Sequence, residues 1–278
     1  MSASASGQMC GTPGPTAEQA RAFQRSVALR PAADKAITER VFIPVAFHAI
    51  HDGRNGKIPR QNVDVLINNL NWGFRNTPFS FFLYKFDSTK NKAWYGSCPF
   101  LSKNEAAMKK KLAVDTRYVL NLYSCQPAPG MGGYSTFPPT PELGVLAPPN
   151  GDKRQGVVLH PGVVPGGVWN GSSWPYGLPA VHEVGHYLGA FHTFETIFNP
   201  GQLACADPGD FVSDTPSQGF PHHACPAQID SCPALPGSDD VRNFMNYTDS
   251  DLCMDHFSPG QVEWMISAVE DARPTLLR

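Results

Sequence analysis

Three histidines, a glutamate and a glycine lie within the eleven residues HEVGHYLGAFH, which run from His182 to His192. His182 and His186 are four residues apart, so on a helix they project from one face, one turn apart. Glu183 follows the first histidine and points beside an ion that both imidazoles hold. Gly189 tolerates a positive φ, so it can end the helix and bring His192 back as a third ligand. A continuous helix would carry His192 about 15 Å along its axis.

These residue types predict a catalytic metal site. Three neutral imidazoles suit zinc and leave its fourth position open to water, whose pKa zinc lowers to about 7. Glu183 can take the proton of that water and pass it to a leaving amine, which is the chemistry of amide hydrolysis. The alternative is a helix that carries solvated histidines. A lone pair of histidines fits that alternative, but the five fixed positions of HExxHxxGxxH favour the metal site.

The elements that position this segment follow from the hydrophobic pattern. Short apolar runs predict strands, and apolar residues at helical spacing predict helices. The strands are expected over 41–50, 79–87, 117–125, 132–138 and 155–160. The helices are expected over 16–29, 58–76, 104–113, from 174 or 178 to 188, and 258–272. Alternation of strands and helices predicts a mostly parallel sheet with helices against it.

Composition excludes several classes of partner. The chain has 278 residues, 41% of them hydrophobic, and a formal net charge of −2. We therefore expect a packed globule that binds neither nucleic acid nor a membrane, and no apolar run is long enough to span a bilayer. The start MSASASGQMC lacks an apolar leader segment, so we expect a leader to have been removed or the reading frame to be truncated.

The seven cysteines indicate an oxidising compartment. Four of them fall within 49 residues of a loop-rich C-terminal region, and no CxxC pair occurs. A region that buries little apolar surface gains stability from disulfides. Because seven is odd, one thiol must have another role.

With these motifs in hand, the chain resembles a known family. HExxHxxGxxH followed by the turn NFMNYTD (243–249) is similar to the metzincin signature. The segments GVVLHPGVVPGG, HEVGHYLGAFHTF, DFVSDTP, NFMNY and CMDHFSPGQ more closely resemble the pappalysin family, especially its small secreted, ulilysin-like members. The resemblance covers roughly residues 41–270.

The resemblance implies an α/β zincin fold with a five-stranded, mostly parallel sheet and one antiparallel edge strand. Two long helices and an irregular, disulfide-linked C-terminal lobe that ends in a helix complete this fold. Residues 1–36 would be a pro-segment, and residues 37–278 the catalytic domain, with upper (37–189) and lower (190–278) subdomains. The chain would be a secreted monomer.

The family's site residues carry over by position. His182, His186 and His192 would bind zinc, and Glu183 would be the general base. Tyr247 would stabilise the oxyanion, although ordinary packing in a tight turn is the alternative. The remaining implied features are the hydrophobic floor under the metal at Met245, and an edge strand at 133–138 that pairs with an extended peptide substrate.

The segment GDFVSDTP (209–216) resembles the family's calcium loop. Asp210 and Thr215 would supply side-chain oxygens, and Gly209 and Ser213 would supply backbone carbonyls. The alternative is a turn capped by an aspartate.

The family's cysteine pairing implies the bridges Cys205–Cys232 and Cys225–Cys253, which leaves Cys98–Cys125 as the third. The seventh cysteine, Cys10 in CGT, resembles the family's cysteine switch, in which a thiolate occupies the open zinc position. The family motif often has an arginine shortly before this cysteine, whereas here the preceding residues are Gln8 and Met9. A free surface cysteine is the alternative.

Asp251 lies two residues before Cys253, where an acid in some relatives favours arginine or lysine at the S1′ pocket. The chain has one extra residue in this stretch, so Asp249 is an alternative, and both can be solvated.

The sequence as a whole predicts a secreted zinc endopeptidase that is latent until its N-terminal segment is removed. The alternatives are a catalytically silent binding or adhesion protein and a zinc hydrolase of non-peptide amides or esters.

Overall fold

The computed structural model describes residues 8–28, 39–195, 205, 209–248 and 251–277. Its main sheet has six strands: β1 Gln8–Cys10, β2 Val41–His51, β3 Phe79–Lys90, β4 Leu120–Ser124, β5 Met131–Ser135 and β6 Val157–Leu159. The helices are α1 Ala17–Ala28, α2 Arg60–Gly73, α3 Lys92–Gly96, α4 Lys103–Leu112, α5 Leu178–Leu188 and α6 Pro259–Ala272. A small hairpin pairs β7 Val168–Trp169 with β8 Ser172–Ser173.

The sheet is mostly parallel, and its strand order is β1-β5-β6-β4-β2-β3. Strands β2, β3, β4 and β6 run parallel to one another, as the strand–helix alternation predicts. Strand β5 runs antiparallel to its neighbour β6, and β1, which is parallel to β5, shares its direction. The predicted mostly parallel sheet with one antiparallel pairing is therefore confirmed, but β5 was expected at the edge and lies one strand inside it, because β1 pairs with its outer side.

A sixth strand distinguishes the structure from the expected five. Strand β1 comes from the N-terminal segment and pairs in parallel with β5, which brings Cys10 opposite Gly133. Residues 1–36 were expected to be appended to the core, but Met9 and Cys10 are fully buried within it. Residues 1–7 and 29–36 lie outside the described part of the chain.

The helices α2 and α5 lie against one face of the sheet and against each other. The predicted apolar face of α2 is buried, and the members of this face are Val63, Leu66, Ile67, Leu70 and Phe74. Gly73 allows the close approach of the two helices, because a Cβ there would come within 2.7 Å of a Val181 side-chain carbon. Helix α6 begins with a capping box at Ser258 and Gln261, which satisfies two of its free backbone N–H groups.

The C-terminal lobe has little regular structure. In the described part of residues 190–278, the helices with defined bounds are α6 and the 3-10 helix Pro274–Leu277. Three disulfides are formed, and their pairs are Cys98–Cys125, Cys205–Cys232 and Cys225–Cys253. These are the pairs expected from the sequence. Two of them crosslink this loop-rich lobe, which buries little apolar surface and gains stability from the crosslinks.

Within the described residues, no helix combines the length and the apolar character that crossing a membrane requires.

Candidate metal centre

Helix α5 carries the first two histidines and the glutamate, and all eleven of its residues are buried. It begins after Gly177 (φ 65°) and ends at Gly189 (φ 112°), two left-handed positions that glycine adopts without strain. At the C-terminal end, the N–H of Gly189 donates to the carbonyl of His186, and the chain then turns back. The predicted role of Gly189 in ending the helix is therefore confirmed.

The turn brings three imidazole rings together. The ring centroids of His182 and His186 are 4.8 Å apart, those of His186 and His192 are 4.4 Å apart, and those of His182 and His192 are 5.2 Å apart. Each Nδ1 lies 2.7 Å from an oxygen; the partners of His182, His186 and His192 are the carbonyls of Phe244 and Ala190 and the carboxylate of Glu195, respectively. Because carbonyl and carboxylate oxygens accept, each Nδ1 is the donor, and a ring that carries only this proton presents an Nε2 lone pair.

The three Nε2 atoms face one another. Nε2 of His186 and of His192 are 3.0 Å apart, and Nε2 of His182 is buried without a hydrogen-bond partner. Converging lone pairs in a dry interior repel each other unless a cation lies between them. This donor set of three imidazole nitrogens is the one that zinc prefers, so the residues fit the predicted metal.

A fourth donor completes the group. The Sγ atom of Cys10 and the nitrogens of the three histidines all lie within 4.8 Å of one another, and all four residues are buried. Cys10 is the one unpaired cysteine among those described, and the N–H of Thr12 donates to its sulfur at 3.2 Å. Burial and the nearby Glu183 carboxylate raise the pKa of the thiol, whereas a divalent cation would act in the opposite direction and stabilise the thiolate.

Glu183 lies beside the cluster and against the sheet. Its Oε2 accepts a hydrogen bond from the Thr12 hydroxyl at 3.0 Å, while its Oε1 is buried without a partner. Burial raises the pKa of Glu183 to about 8, against the opposing effect of hydrogen bonds from Cys10 and Thr12. Strand β5 approaches this carboxyl group so closely that a Cβ at Gly133 would come within 3.1 Å of the Glu183 Cγ.

The turn that contains Met245 and Tyr247 packs against the histidine cluster. Met245 is fully buried under α5, and a Cβ at Gly185 would come within 2.6 Å of its sulfur. The Tyr247 ring lies 5.9 Å from the ring of His182 and 5.0 Å from that of His192. Its hydroxyl donates to the carbonyl of Cys10 at 3.1 Å. Tyr247 therefore reaches into the site and already holds an oxygen acceptor there.

The N-terminal segment covers the site and occupies the edge of the sheet. Beyond the β1–β5 pairing, the N–H of Gly11 donates to the carbonyl of Gly133 at 2.7 Å. The Thr12 hydroxyl accepts from the N–H of Ser135 at 2.8 Å while it donates to Glu183. The segment thus contacts the metal cluster, the carboxylate and the edge strand at once.

Asp251 lies elsewhere in the fold, at the N-terminal end of α5. Its carboxylate accepts from the backbone N–H groups of Tyr176, Gly177 and Leu178 at 2.7, 2.9 and 2.9 Å. The residue is 7% exposed and lies at the wall of a cavity of about 570 Å³ that Trp72 also lines. Both carboxylate oxygens are therefore engaged in capping a helix. The alternative residue, Asp249, lies outside the described residues.

The segment 209–216 forms a compact turn around Asp210, whose side chain is buried. Its Oδ1 accepts from the Thr215 hydroxyl at 2.5 Å and from the N–H of Val212 at 3.2 Å, and its Oδ2 accepts from the Gln261 amide at 3.1 Å. Burial raises the pKa of Asp210 to about 7. Gly209 has a left-handed φ of 53°, and Ser213 lies in the same turn. Asp210 and Thr215 are thus in direct contact, as an aspartate-capped turn also requires.

Two residues that the sequence analysis does not single out contact the site. Glu195 accepts a hydrogen bond from His192 Nδ1, and the Thr12 hydroxyl donates one to Glu183. Glu195 lies three residues after the last histidine, so its spacing was a usable signal. Thr12 and Glu183 are 171 residues apart, and no local pattern could have paired them.

Comparisons with known proteins agree with this geometry. The profile of the family described as pregnancy-associated plasma protein-A, peptidase family M43, matches residues 170–270. An extracellular metalloprotease of Arthroderma gypseum is 34% identical over 231 residues, which are 82% of this chain and 72% of the relative.

Two solved structures from Tannerella forsythia have a similar fold. A promirolysin variant superposes with a TM-score of 0.75 at 24% identity, covering 97% of each chain. Mature mirolysin in complex with a cleaved peptide superposes with a TM-score of 0.68 at 24% identity, covering 86% of this chain and 96% of that one. The chain therefore belongs to the pappalysin family of zinc metallopeptidases.

Proposed function

We propose that this zinc-dependent endopeptidase hydrolyses peptide bonds with His182, His186 and His192 as zinc ligands and Glu183 as general base. The observation that carries the proposal is the convergence of three imidazole lone pairs beside a buried carboxylate. Zinc, when bound there, supplies a Lewis acid that polarises the scissile carbonyl and acidifies water. The Glu183 carboxylate accepts a proton through Oε1 or Oε2 and returns it to the departing amine.

Tyr247 supplies the second polar contact that the reaction needs. Its hydroxyl donates to a backbone carbonyl in the present structure, so it can donate equally to the carbonyl oxygen of a substrate, where negative charge develops. Removal of one such donor typically costs about 100- to 1000-fold in turnover. Met245 shapes the apolar floor below.

The substrate is an extended polypeptide that pairs with the outer edge of β5 once β1 has left it. In the present structure β1 takes up that edge, and its pairing supports the proposal that backbone groups of Gly133 and Ser135 bind a peptide strand after the segment leaves. Main-chain pairing gives affinity with little sequence preference. The related mirolysin, by its description, holds a cleaved peptide.

Casein cleavage tests the catalytic assignment. The full chain should be assayed before and after limited trypsin digestion, and again as the Cys10→Ala variant, each with and without a zinc chelator. At least one form should cleave casein and lose that activity with the chelator. Glu183→Ala should retain about one zinc per chain and lose at least about 100-fold in activity, because general base catalysis is typically worth 10²–10⁴-fold.

The same assay distinguishes the alternatives. A protein that holds zinc but cleaves neither casein nor small esters in any form would be a binding or adhesion protein. A protein that cleaves esters or small amides but no peptide would be a non-peptide hydrolase. A Glu183→Ala variant with full activity would show that another group is the base.

We further propose that residues before about 36 keep the enzyme latent. The proposal is supported by the place of Cys10 in the metal cluster, by the bond from Thr12 to Glu183 and by the bond from Tyr247 to Cys10. The N-terminal segment thereby contacts the metal ligands, Glu183 and the Tyr247 hydroxyl. Cys10→Ser should raise the activity of the undigested full chain, with Ser267→Ala, at a partly exposed position of α6, as a control. Equal activity of wild type and Cys10→Ser would contradict latency through the thiol.

Calcium binding at Asp210, Thr215, Gly209 and Ser213 is a further proposal, supported by the buried Asp210 carboxylate. Calcium should raise the melting temperature of the EGTA-treated chain, and Asp210→Asn should abolish that increase; no calcium effect in the wild type would contradict it.

The three disulfides and the description of the relative as extracellular support secretion of this enzyme. A single monomer peak in size-exclusion chromatography is expected.

A further inference from the structure

The three histidines of the cluster differ in what holds their outer nitrogens. Nδ1 of His182 and Nδ1 of His186 donate to neutral backbone carbonyls, whereas Nδ1 of His192 donates to the Glu195 carboxylate at 2.7 Å. The same carboxylate oxygen accepts from the backbone N–H of His192 at 3.2 Å, and the N–H of Glu195 donates back to the His192 carbonyl at 2.9 Å. Glu195 therefore closes a small ring of bonds around one ligand only.

This ligand is the one that the helix does not hold. His182 and His186 are fixed by the backbone of α5, but His192 follows Gly189, outside the helix. Its ring is limited by Phe194, which stacks on it at 4.8 Å, and by Tyr247. Stacking still permits a half-turn of the ring about its Cβ–Cγ bond, because that flip exchanges Nδ1 and Cδ2 but keeps the plane of the ring. The bond to Glu195 removes that freedom and fixes the tautomer whose Nε2 points at the other two.

Glu195 also brings charge into the site. The residue is 6% exposed, and a buried carboxylate is costly unless a nearby positive charge or hydrogen-bond donors offset it. Three neutral imidazoles offset none of the double charge of zinc, and a Cys10 thiolate would offset one unit of it. A carboxylate one ring away from the metal offsets part of that charge and makes the imidazole a stronger donor.

The N-terminal segment shields this carboxylate from solvent. A Cβ at Gly14 would approach the Glu195 Oε1 to 2.3 Å, so a larger residue there would require the carboxylate to move. His192 bonds to Oε2 of Glu195, and Gly14 of the covering segment lies next to Oε1.

We propose that Glu195 is a positioning residue for the zinc ligand His192, and that its negative charge strengthens zinc binding. The inference rests on the zinc assignment of the proposed function. Glu195→Ala removes both the bond and the charge. Glu195→Gln keeps an oxygen that accepts from Nδ1 but removes the charge.

Zinc affinity of the full chain tests the inference. Apoprotein is titrated against a chromophoric chelator, and cobalt is substituted to record its visible absorption bands. Glu195→Ala should bind zinc about 10- to 100-fold more weakly than wild type, as loss of such a partner typically does. Glu195→Gln should show a smaller loss and a shifted cobalt spectrum. The control Glu263→Gln, on the exposed face of α6, should match wild type in both.

The outcomes separate this inference from the proposed function. If the wild type binds no zinc, both are overturned. If the wild type binds zinc and Glu195→Ala, folded by circular dichroism, binds it within twofold of wild type, only the role of Glu195 is overturned. If Glu195→Ala does not fold, Glu195→Gln decides. A wild-type cobalt spectrum and affinity in that variant would overturn the inference.

Discussion

Substitution of Asp251 by alanine should destabilise the whole protein through the start of the zinc helix. The N-terminal cap of α5 is Gly177, which has no side chain to bond to the free N–H groups of the first turn. Asp251, at least 73 residues further along the chain, accepts from the N–H of Leu178 in that turn at 2.9 Å. It also accepts from the N–H groups of Tyr176 and Gly177, just before the helix, at 2.7 and 2.9 Å. A negative charge at a helix N-terminus is also favoured by the helix dipole.

The size of the effect follows from these contacts. A hydrogen bond to a charged group contributes about 1.5–3 kcal/mol, and a buried donor left without a partner costs about 1–3 kcal/mol. Tyr176 is exposed enough for water to replace the lost acceptor at its N–H, so the three bonds do not add fully. We expect Asp251→Ala to cost about 3–5 kcal/mol in free energy of unfolding. At about 2–4 °C per kcal/mol, the melting temperature should fall by about 6–20 °C.

Differential scanning calorimetry of the full chain measures this fall, with Asp64→Ala as a control. Asp64 lies in an exposed ion pair with Arg60, and such a pair contributes at most about 1 kcal/mol. A melting temperature of Asp251→Ala within 2 °C of wild type would refute the capping argument. A changed preference for basic residues in the cleaved peptides would instead support the predicted specificity role of Asp251.

Three further predictions concern pH, a buried cation and the covering segment. Hydrogen bonds to Asp240 and Asp255 raise the pKa of His256 to about 9, so its stabilisation is complete below its usual pKa near 6.5 and is lost as the pH rises through 9. After a discount for its partial exposure, stability measured by urea unfolding should fall by about 1–2 kcal/mol between pH 7 and 10, and a His256→Gln variant with the same slope would contradict this. Arg273 is buried and bonds to two backbone carbonyls and one amide, so Arg273→Lys, which cannot reproduce that fork, should cost about 2–4 kcal/mol; an unchanged melting temperature would be the contrary result. Thr12→Val keeps the shape of the side chain but loses its bond to the general base, so the undigested chain should cleave a peptide faster than wild type, and equal rates would argue against this contact as a lock.

The sequence predicts the metal centre because its information is local. Three ligands and the base lie within eleven residues, and helical spacing aligns two of the ligands. Gly189 adopts the left-handed conformation that ends the helix and brings in His192. The order of strands and helices follows for the same reason, since each apolar run is long enough to reveal its period.

Contacts between distant segments are what the sequence could not reveal. Strand β1 has only three residues and no apolar alternation, and it forms because the edge of β5 offers unpaired backbone groups. The role of Asp251 depends on the lobe folding back onto the start of α5. Thr12 meets Glu183 only once β1 is paired with the sheet.

Anomalous scattering from a crystal of the full chain at the zinc absorption edge tests the central claim most directly. We expect one zinc peak per chain, about 2.0–2.1 Å from Nε2 of His182, His186 and His192 and about 2.3 Å from Sγ of Cys10. No peak among these four residues in protein grown with zinc, or a peak held by other side chains, would contradict it.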